Sequence, residues 1–292
     1  MKLPIDRLVW QPGVALVASM QMHREGFFEA LDISEITDAA DIEGSPLNDM
    51  VARLLCDETN GDDLAEFGGR QCYRSWKKGR KPSEYIGNLI DEAHGSVFRH
   101  SHVSLQIVGV SRSLTHELIR HATGNAPSQE SQRYVDAKDI RFVVPPITVE
   151  RVKGMGPEEV ENDPELSLFR TSCQRALDDY IAYQAMISDR LKAMKDRGDY
   201  KGATAYKKRA NEAARALLPN ATETRLLFTM NLQSARFILS QRGSEFADLE
   251  IRRLAPAMFR KVRDYAPHFF KEVVEDIGSD GLAVITAKNG KL

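Results

Sequence analysis

A chain of 292 residues is long enough for one large domain or two small ones. Its composition, 42% hydrophobic and 28% charged, is ordinary for a globular protein, and a net charge of −2 excludes a global field for nucleic acid or membrane. Three scattered cysteines exclude a disulfide framework or a cysteine zinc site, and Cys56, Cys72 and Cys173 read as small buried hydrophobes in a reducing cytosol.

The N-terminus, MKLPIDRLVW, has no apolar core with a cleavage site, so no signal peptide is expected. No apolar run approaches the roughly 18 residues of a membrane span. Residues 14–20, VALVASM, predict a strand. Residues 22–63 are acidic at Asp38, Asp41, Glu43, Asp62 and Asp63 and read as an insertion or arm with a short helix near Met50–Leu55. A helix with glycines in its middle is expected over 64–76. The basic run Lys77, Lys78, Arg80 and Lys81 then reads as a solvated loop before a helix over 83–93. Alternation of Val103, Leu105 and Ile107 predicts a half-buried strand over 103–110. Ser111 or Ser113 can cap the next helix, which is expected to run to Gly124. A strand over 140–144 ends at Pro145 and Pro146. Over 163–197, Leu166, Phe169, Cys173, Leu177, Tyr180, Ile187, Leu191 and Met194 recur at helical spacing and predict one buried stripe. Further helices are expected over 203–217 and 245–272, with a strand passing into a helix over 222–241. The totals predict a helix-rich α+β domain around one antiparallel sheet.

There is no Walker loop, no GxGxxG and no nucleophilic triad. His94, His100, His102, His116 and His121 cluster in sequence but lack metal-ligand spacing, so no metal is expected. What remains is arginine. The segment ELIRHATGNAPSQESQRY, residues 117–134, places Arg120 and His121 before a turn-prone stretch and Ser131, Gln132 and Arg133 after it. Arg215, Arg242, Arg252 and Arg253 follow later. A guanidinium stays charged and donates two parallel hydrogen bonds, which suits phosphate. Taken singly, each of these arginines reads as a surface ion pair. The 117–134 segment reads as an anion pocket.

Several ordered stretches resemble one family. EFGGRQCYRSW (66–76), AHGSVFRHSHVSL (93–105), VSRSLTHELIRH (110–121), SQRYV (131–135), ARALLPNATETR (214–225) and FADLEIRRLA (246–255) are similar to motifs of the flavin-dependent thymidylate synthases, over about residues 64–270 plus the N-terminal strand. The resemblance implies one α/β catalytic domain over 1–292, with a mixed, mainly antiparallel sheet and long helices. Residues 22–63 would be a family-atypical insertion. It implies conversion of dUMP to dTMP with methylenetetrahydrofolate as carbon donor, FAD as hydride carrier and NADPH as reductant. It also implies a cytoplasmic homotetramer whose active sites are shared between subunits, with neither membrane nor nucleic acid as partner.

The resemblance carries over site by site. Glu117, Arg120, Ser131, Gln132, Arg133, Arg215 and Arg242 would hold dUMP, with Arg120, Ser131 and Arg242 catalytic. Ser96, Arg120, His121, Ala122, Asn231, Gln233 and Phe237 would stand against FAD. On that side the chain departs from the pattern. Ala122, Gln233 and Phe237 replace an arginine, an arginine and a histidine or asparagine, and Arg99 stands where glutamate is usual. Eight residues rather than seven, Thr123 to Glu130, precede Ser131. Arg99 or Lys138 could supply the missing charge. The altered segment leaves open UMP as substrate, a hydroxymethyl product, or a nucleotide-binding homologue without flavin catalysis.

Overall fold

A computed structural model of the chain describes residues 1–33, 45–76, 80–136, 139–198 and 205–288. Its strands are β1 (Leu8–Val9), β2 (Gly13–Ser19), β3 (His102–Ser111), β4 (Asn125–Gln129), β5 (Phe142–Val143), β6 (Glu223–Asn231), β7 (Val273–Ile277) and β8 (Ala283–Ala287). Its helices are α1 (Arg24–Ile33), α2 (Pro46–Leu55), α3 (Gly61–Tyr73), α4 (Pro82–Asp91), α5 (Arg112–Leu118), α6 (Pro146–Val152), α7 (Pro157–Asn162), α8 (Pro164–Asp196), α9 (Ala205–Ala214), α10 (Leu232–Arg242) and α11 (Leu249–Tyr265). Four strands form a sheet in the order β2-β3-β6-β4. β1 pairs in parallel with β5, and β7 pairs antiparallel with β8. The mixture of long helices and strands is that of an α/β fold.

Contacts group the chain into two compact units. The first comprises Met1–Gly13, Ile107–Leu118 and Ser128–Leu226. Its core joins Leu3, Leu8, Phe142 and Val144 to Leu166, Cys173, Leu177 and Tyr180 of α8. Helix α8 starts where the sequence places it: Pro164 takes the first helical position, and the Asp163 carboxylate accepts the Leu166 N–H at 2.7 Å. Of the predicted stripe, Leu166, Cys173, Leu177 and Tyr180 are buried, while Phe169, Ile187, Leu191 and Met194 are only half-buried. At roughly 1.5–3 kcal/mol per fully buried large side chain, the N-terminal half of α8 supplies most of its anchoring.

The second unit comprises Val14–Gln106, Ile119–Pro127 and Leu227–Leu292. Phe27 and Leu31 of α1, Leu47, Met50 and Leu54 of α2, and Trp76 form one cluster against Phe67 of α3. The described part of the acidic stretch is therefore folded into this unit. At the start of α3 the Asn60 side chain accepts the Asp62 N–H at 2.8 Å and the Asp63 carboxylate accepts the Asn60 N–H at 2.8 Å, a capping box. Asp62 is buried and accepts the His268 and Phe269 N–H groups at 2.7 and 2.9 Å. Arg236 of α10 is fully buried and donates to the Phe269 and Lys288 carbonyls at 2.6 and 2.5 Å, fastening that helix to the end of the β7–β8 hairpin.

Several expectations need correction. The helix after β3 is capped by Ser111, whose Oγ accepts the Leu114 N–H at 3.1 Å, but it ends at Leu118 rather than Gly124. Arg120 therefore lies on a turn, and the stretch after it becomes strand β4. The last long helix ends at Tyr265 because Pro267 disfavours helical backbone at the residue before it, and the β7–β8 hairpin follows. Cys56 and Cys72 are exposed, and only Cys173 is buried. Asp38, Asp41, Glu43, Lys77, Lys78 and Lys138 lie outside the described residues. Among the described residues, no helix is long and apolar enough to cross a membrane, and no group of three His, Cys, Asp or Glu could hold a metal ion.

Candidate functional site

The second unit contains a cavity of about 540 Å³, within the range of ligand pockets. One wall is the segment from Arg120 to Asn125, and the other is the start of α10 with Arg99. Local chemistry explains why the two meet. Asn231 caps α10, its Oδ1 accepting the Ser234 N–H at 2.8 Å. Its Nδ2 donates to the Gly124 carbonyl at 3.4 Å, and Ser234 Oγ donates to the Thr123 carbonyl at 3.2 Å. Asn125 Nδ2 donates to the His121 carbonyl. Gly124 has a φ of +73°, and a Cβ there would stand 2.4 Å from Asn231 Nδ2. Only glycine permits both the left-handed turn and this approach.

The electrostatics are one-sided. Arg99 and Arg120 line the cavity, and none of its lining residues is Asp or Glu. Arg99 Nε donates to Gln233 Oε1 at 2.5 Å. His121 Nε2 accepts from Arg242 Nε at 3.0 Å, which requires a neutral ring. Burial, then the Arg242 and Arg120 charges, lower the His121 pKa and favour that neutral form. Phe237 meets His121 edge-on at 5.7 Å and, with Ala122 and Ile238, gives the cavity an apolar part. The arrangement suits an anion attached to a flat or apolar body. Arg120, His121, Ala122, Asn231, Gln233 and Phe237 all line it, and Arg242 reaches it through His121. Ser96 is exposed and does not line it; Arg99, three residues on, does.

The other expected residues lie in the first unit. Glu117 is on α5, and Ser131, Gln132 and Arg133 follow β4. Ser131 Oγ accepts the Arg133 N–H at 3.3 Å. The Arg133 guanidinium pairs with Glu212 at 2.5 Å, and Asn211 donates to the Arg133 carbonyl at 3.2 Å. Gln132 borders a smaller cavity of about 270 Å³ beside the Arg141–Glu223 pair. Arg215 opens the 3-10 turn Arg215–Leu217 close enough to Arg112 for its charge to lower the Arg112 pKa, after burial as the larger cause. Arg112 Nη1 donates to the Glu130 carbonyl at 3.2 Å. Arg112 was not singled out from sequence, and its signal is faint: one arginine directly after a strand. Two guanidiniums drawn together are a ready site for an anion. Arg252 belongs elsewhere, since it pairs with Asp280 at 2.6 Å and donates to the Ala283 carbonyl at 2.9 Å, holding the hairpin turn.

The sequence profile of the family described as "Thymidylate synthase complementing protein" matches residues 54–268. The chain is 41% identical over 236 residues to a flavin-dependent thymidylate synthase of Mycolicibacterium vanbaalenii, covering 79% of this chain and 87% of that protein. It is 41% identical over 235 residues to the protein of the same name from Mycobacterium avium, again covering 79% and 87%. The like-named protein of Mycobacterium tuberculosis is 40% identical over 236 residues, with the same coverage.

Proposed function

The chain belongs to the flavin-dependent thymidylate synthase family, and from that premise we propose that it methylates C5 of dUMP to give dTMP. The one-carbon unit comes from methylenetetrahydrofolate and the reducing hydride from NADPH by way of FAD. When bound, FAD supplies the hydride that turns a methylene carbon into a methyl group.

The observation that carries the reading is the 540 Å³ cavity with Arg99, Arg120, the Asn231 amide and Phe237 on its walls and no carboxylate among its lining residues. That donor set fits FAD. Guanidiniums match its phosphates and the apolar wall matches its ring. Arg120, His121, Ala122, Asn231, Gln233 and Phe237 are the residues that hold it. Ser96, exposed in the present arrangement, has no lining role to support its assignment.

The remaining residues act on the nucleotide. Arg112 and Arg215 neutralise its phosphate, and the support is that the Arg215 charge acts on Arg112 more strongly than the neighbouring Glu130 carboxylate does. Glu117, Ser131, Gln132 and Arg133 orient the sugar and base. Arg120 and Arg242 place positive charge beside the uracil carbonyls, where negative charge grows as the ring adds carbon. The neutral His121 fixes the Arg242 guanidinium through Nε2. Glu212 holds the Arg133 fork in place until a ligand competes for it.

Residues 1–292 act as one catalytic domain in this reading, in a cytoplasmic homotetramer whose sites are shared between subunits. Exposed apolar side chains support assembly: Leu16 and Val17 of β2, and Phe246 at 98% exposure. The test is product mass from purified protein given dUMP, methylenetetrahydrofolate, NADPH and FAD, with UMP in parallel. A methyl product from dUMP is expected. A hydroxymethyl product, or turnover of UMP alone, overturns the substrate and product assigned here.

A further inference from the structure

We propose that Arg99, steadied by Gln233, is the side chain that grips the phosphates of the flavin cofactor; this rests on the flavin reading of the cavity. Arg99 ends the 3-10 turn Gly95–Arg99. The backbone on both sides of it is fixed. Val97 and Phe98 are buried, and Phe98 packs on Phe269 with ring centroids 4.1 Å apart. The Ser101 carbonyl accepts the Leu232 N–H at 3.0 Å, and Ser101 Oγ donates to the Gly61 carbonyl at 2.7 Å. An exposed guanidinium is thus carried on a rigid base, at the edge of a cavity whose far wall bears Arg120.

Gln233 takes only the Nε hydrogen. Both Nη groups of Arg99 are without a partner among the described residues. They form the edge of the fork that meets two phosphate oxygens in parallel. The partner's chemistry matters as much as its position. A glutamine orients the guanidinium and leaves its charge intact, whereas a carboxylate at 233 would pair with it and compete with the ligand. The lining of the cavity contains no Asp or Glu to do so. Arg99 is 134 positions from Gln233, so neither residue alone announces the pair.

The test is equilibrium binding of FAD, FMN and riboflavin to flavin-free protein, followed by fluorescence. R99A is expected to weaken FAD and FMN by about tenfold or more, the loss expected for a charge-assisted contact, while riboflavin binds within about twofold of the native protein. Q233E is expected to weaken FAD in the same direction, and R99K to recover part of the affinity without the bidentate gain. Retained riboflavin binding establishes that the variants are folded. FAD affinity unchanged in R99A overturns the proposal, and so does equal loss of FAD and riboflavin, which would place the contact on the ring. If the native protein binds none of the three, the flavin reading itself fails and takes this inference with it.

Discussion

Gly124→Ala tests whether the cavity is shaped by the turn it lines. Gly124 has a φ of +73°, so alanine pays about 1–2 kcal/mol for left-handed backbone, offset by roughly 0.5 kcal/mol from a less flexible unfolded chain. The new Cβ would also stand 2.4 Å from Asn231 Nδ2, a distance that forces the amide to move. Moving it breaks the Asn231–Gly124 bond and disturbs the cap on α10, worth about 1 kcal/mol. The total is about 1.5–2.5 kcal/mol, or a fall in Tm of roughly 3–10 °C at the sensitivity of larger domains. Gly154→Ala is the control. Its φ is +87°, and nothing lies within 4 Å of its would-be Cβ, so it pays for the backbone alone, about 1 kcal/mol. Differential scanning fluorimetry and FAD titration of the two variants decide. G124A is expected to lose more stability than G154A and to weaken FAD, while G154A leaves FAD binding intact. Equal effects on both readouts would mean that the Gly124–Asn231 approach does not shape the cavity.

Further outcomes follow from charge. The folded His121 pKa is depressed by burial, Arg242 and Arg120, so its contribution is full above the ordinary imidazole value of about 6.5 and is lost as pH falls through the lower folded value. Ligand affinity is therefore expected to hold at neutral pH and drop in mild acid as Nε2 takes a proton and releases Arg242; H121Q, whose amide oxygen accepts without titrating, loses that acid limb in a pH series of dUMP binding. Asp62 is pushed up to about 7, mainly by burial, with Asp63 and Glu66 adding to the rise and the His268 and Phe269 N–H groups opposing it. Its stabilisation is full below about pH 4 and lost as pH rises to about 7, so Tm falls from about pH 4 to 7 and levels off above. D62N removes this slope and costs about 1–3 kcal/mol, because an amide has one oxygen for two N–H donors. R112A is expected to weaken dUMP about tenfold and reduce the salt dependence of binding; unaltered dUMP affinity by calorimetry removes Arg112 from the phosphate site.

Much of this was legible where local chemistry decides. The α8 stripe and the passage from β6 into α10 were readable because the apolar spacing changes within a few residues. The helix before Arg120 ends at Leu118, short of Gly124, although apolar spacing continues through Ile119; the stretch after it is held instead by contacts of Thr123 and Gly124 with Ser234 and Asn231, far away in sequence. The β7–β8 hairpin carried a signal, two short apolar runs around Gly278–Gly281, but went unremarked. Site residues divided in the same way. Arg120, His121, Asn231 and Phe237 sit in recognisable motifs and do line one cavity. Arg99, Gln233 and Arg215 stood out as members of the motifs or departures from them, but their pairing, Arg99 with Gln233 and Arg112 with Arg215, is made by tertiary structure across more than a hundred residues.

The most direct measurement is the visible absorbance of the purified protein, before and after NADPH, with product mass from dUMP and methylenetetrahydrofolate in the same sample. A flavin spectrum, as isolated or after addition of FAD, that NADPH bleaches is expected together with dTMP. A colourless protein that cannot be reconstituted with FAD and forms no dTMP would contradict the proposed function.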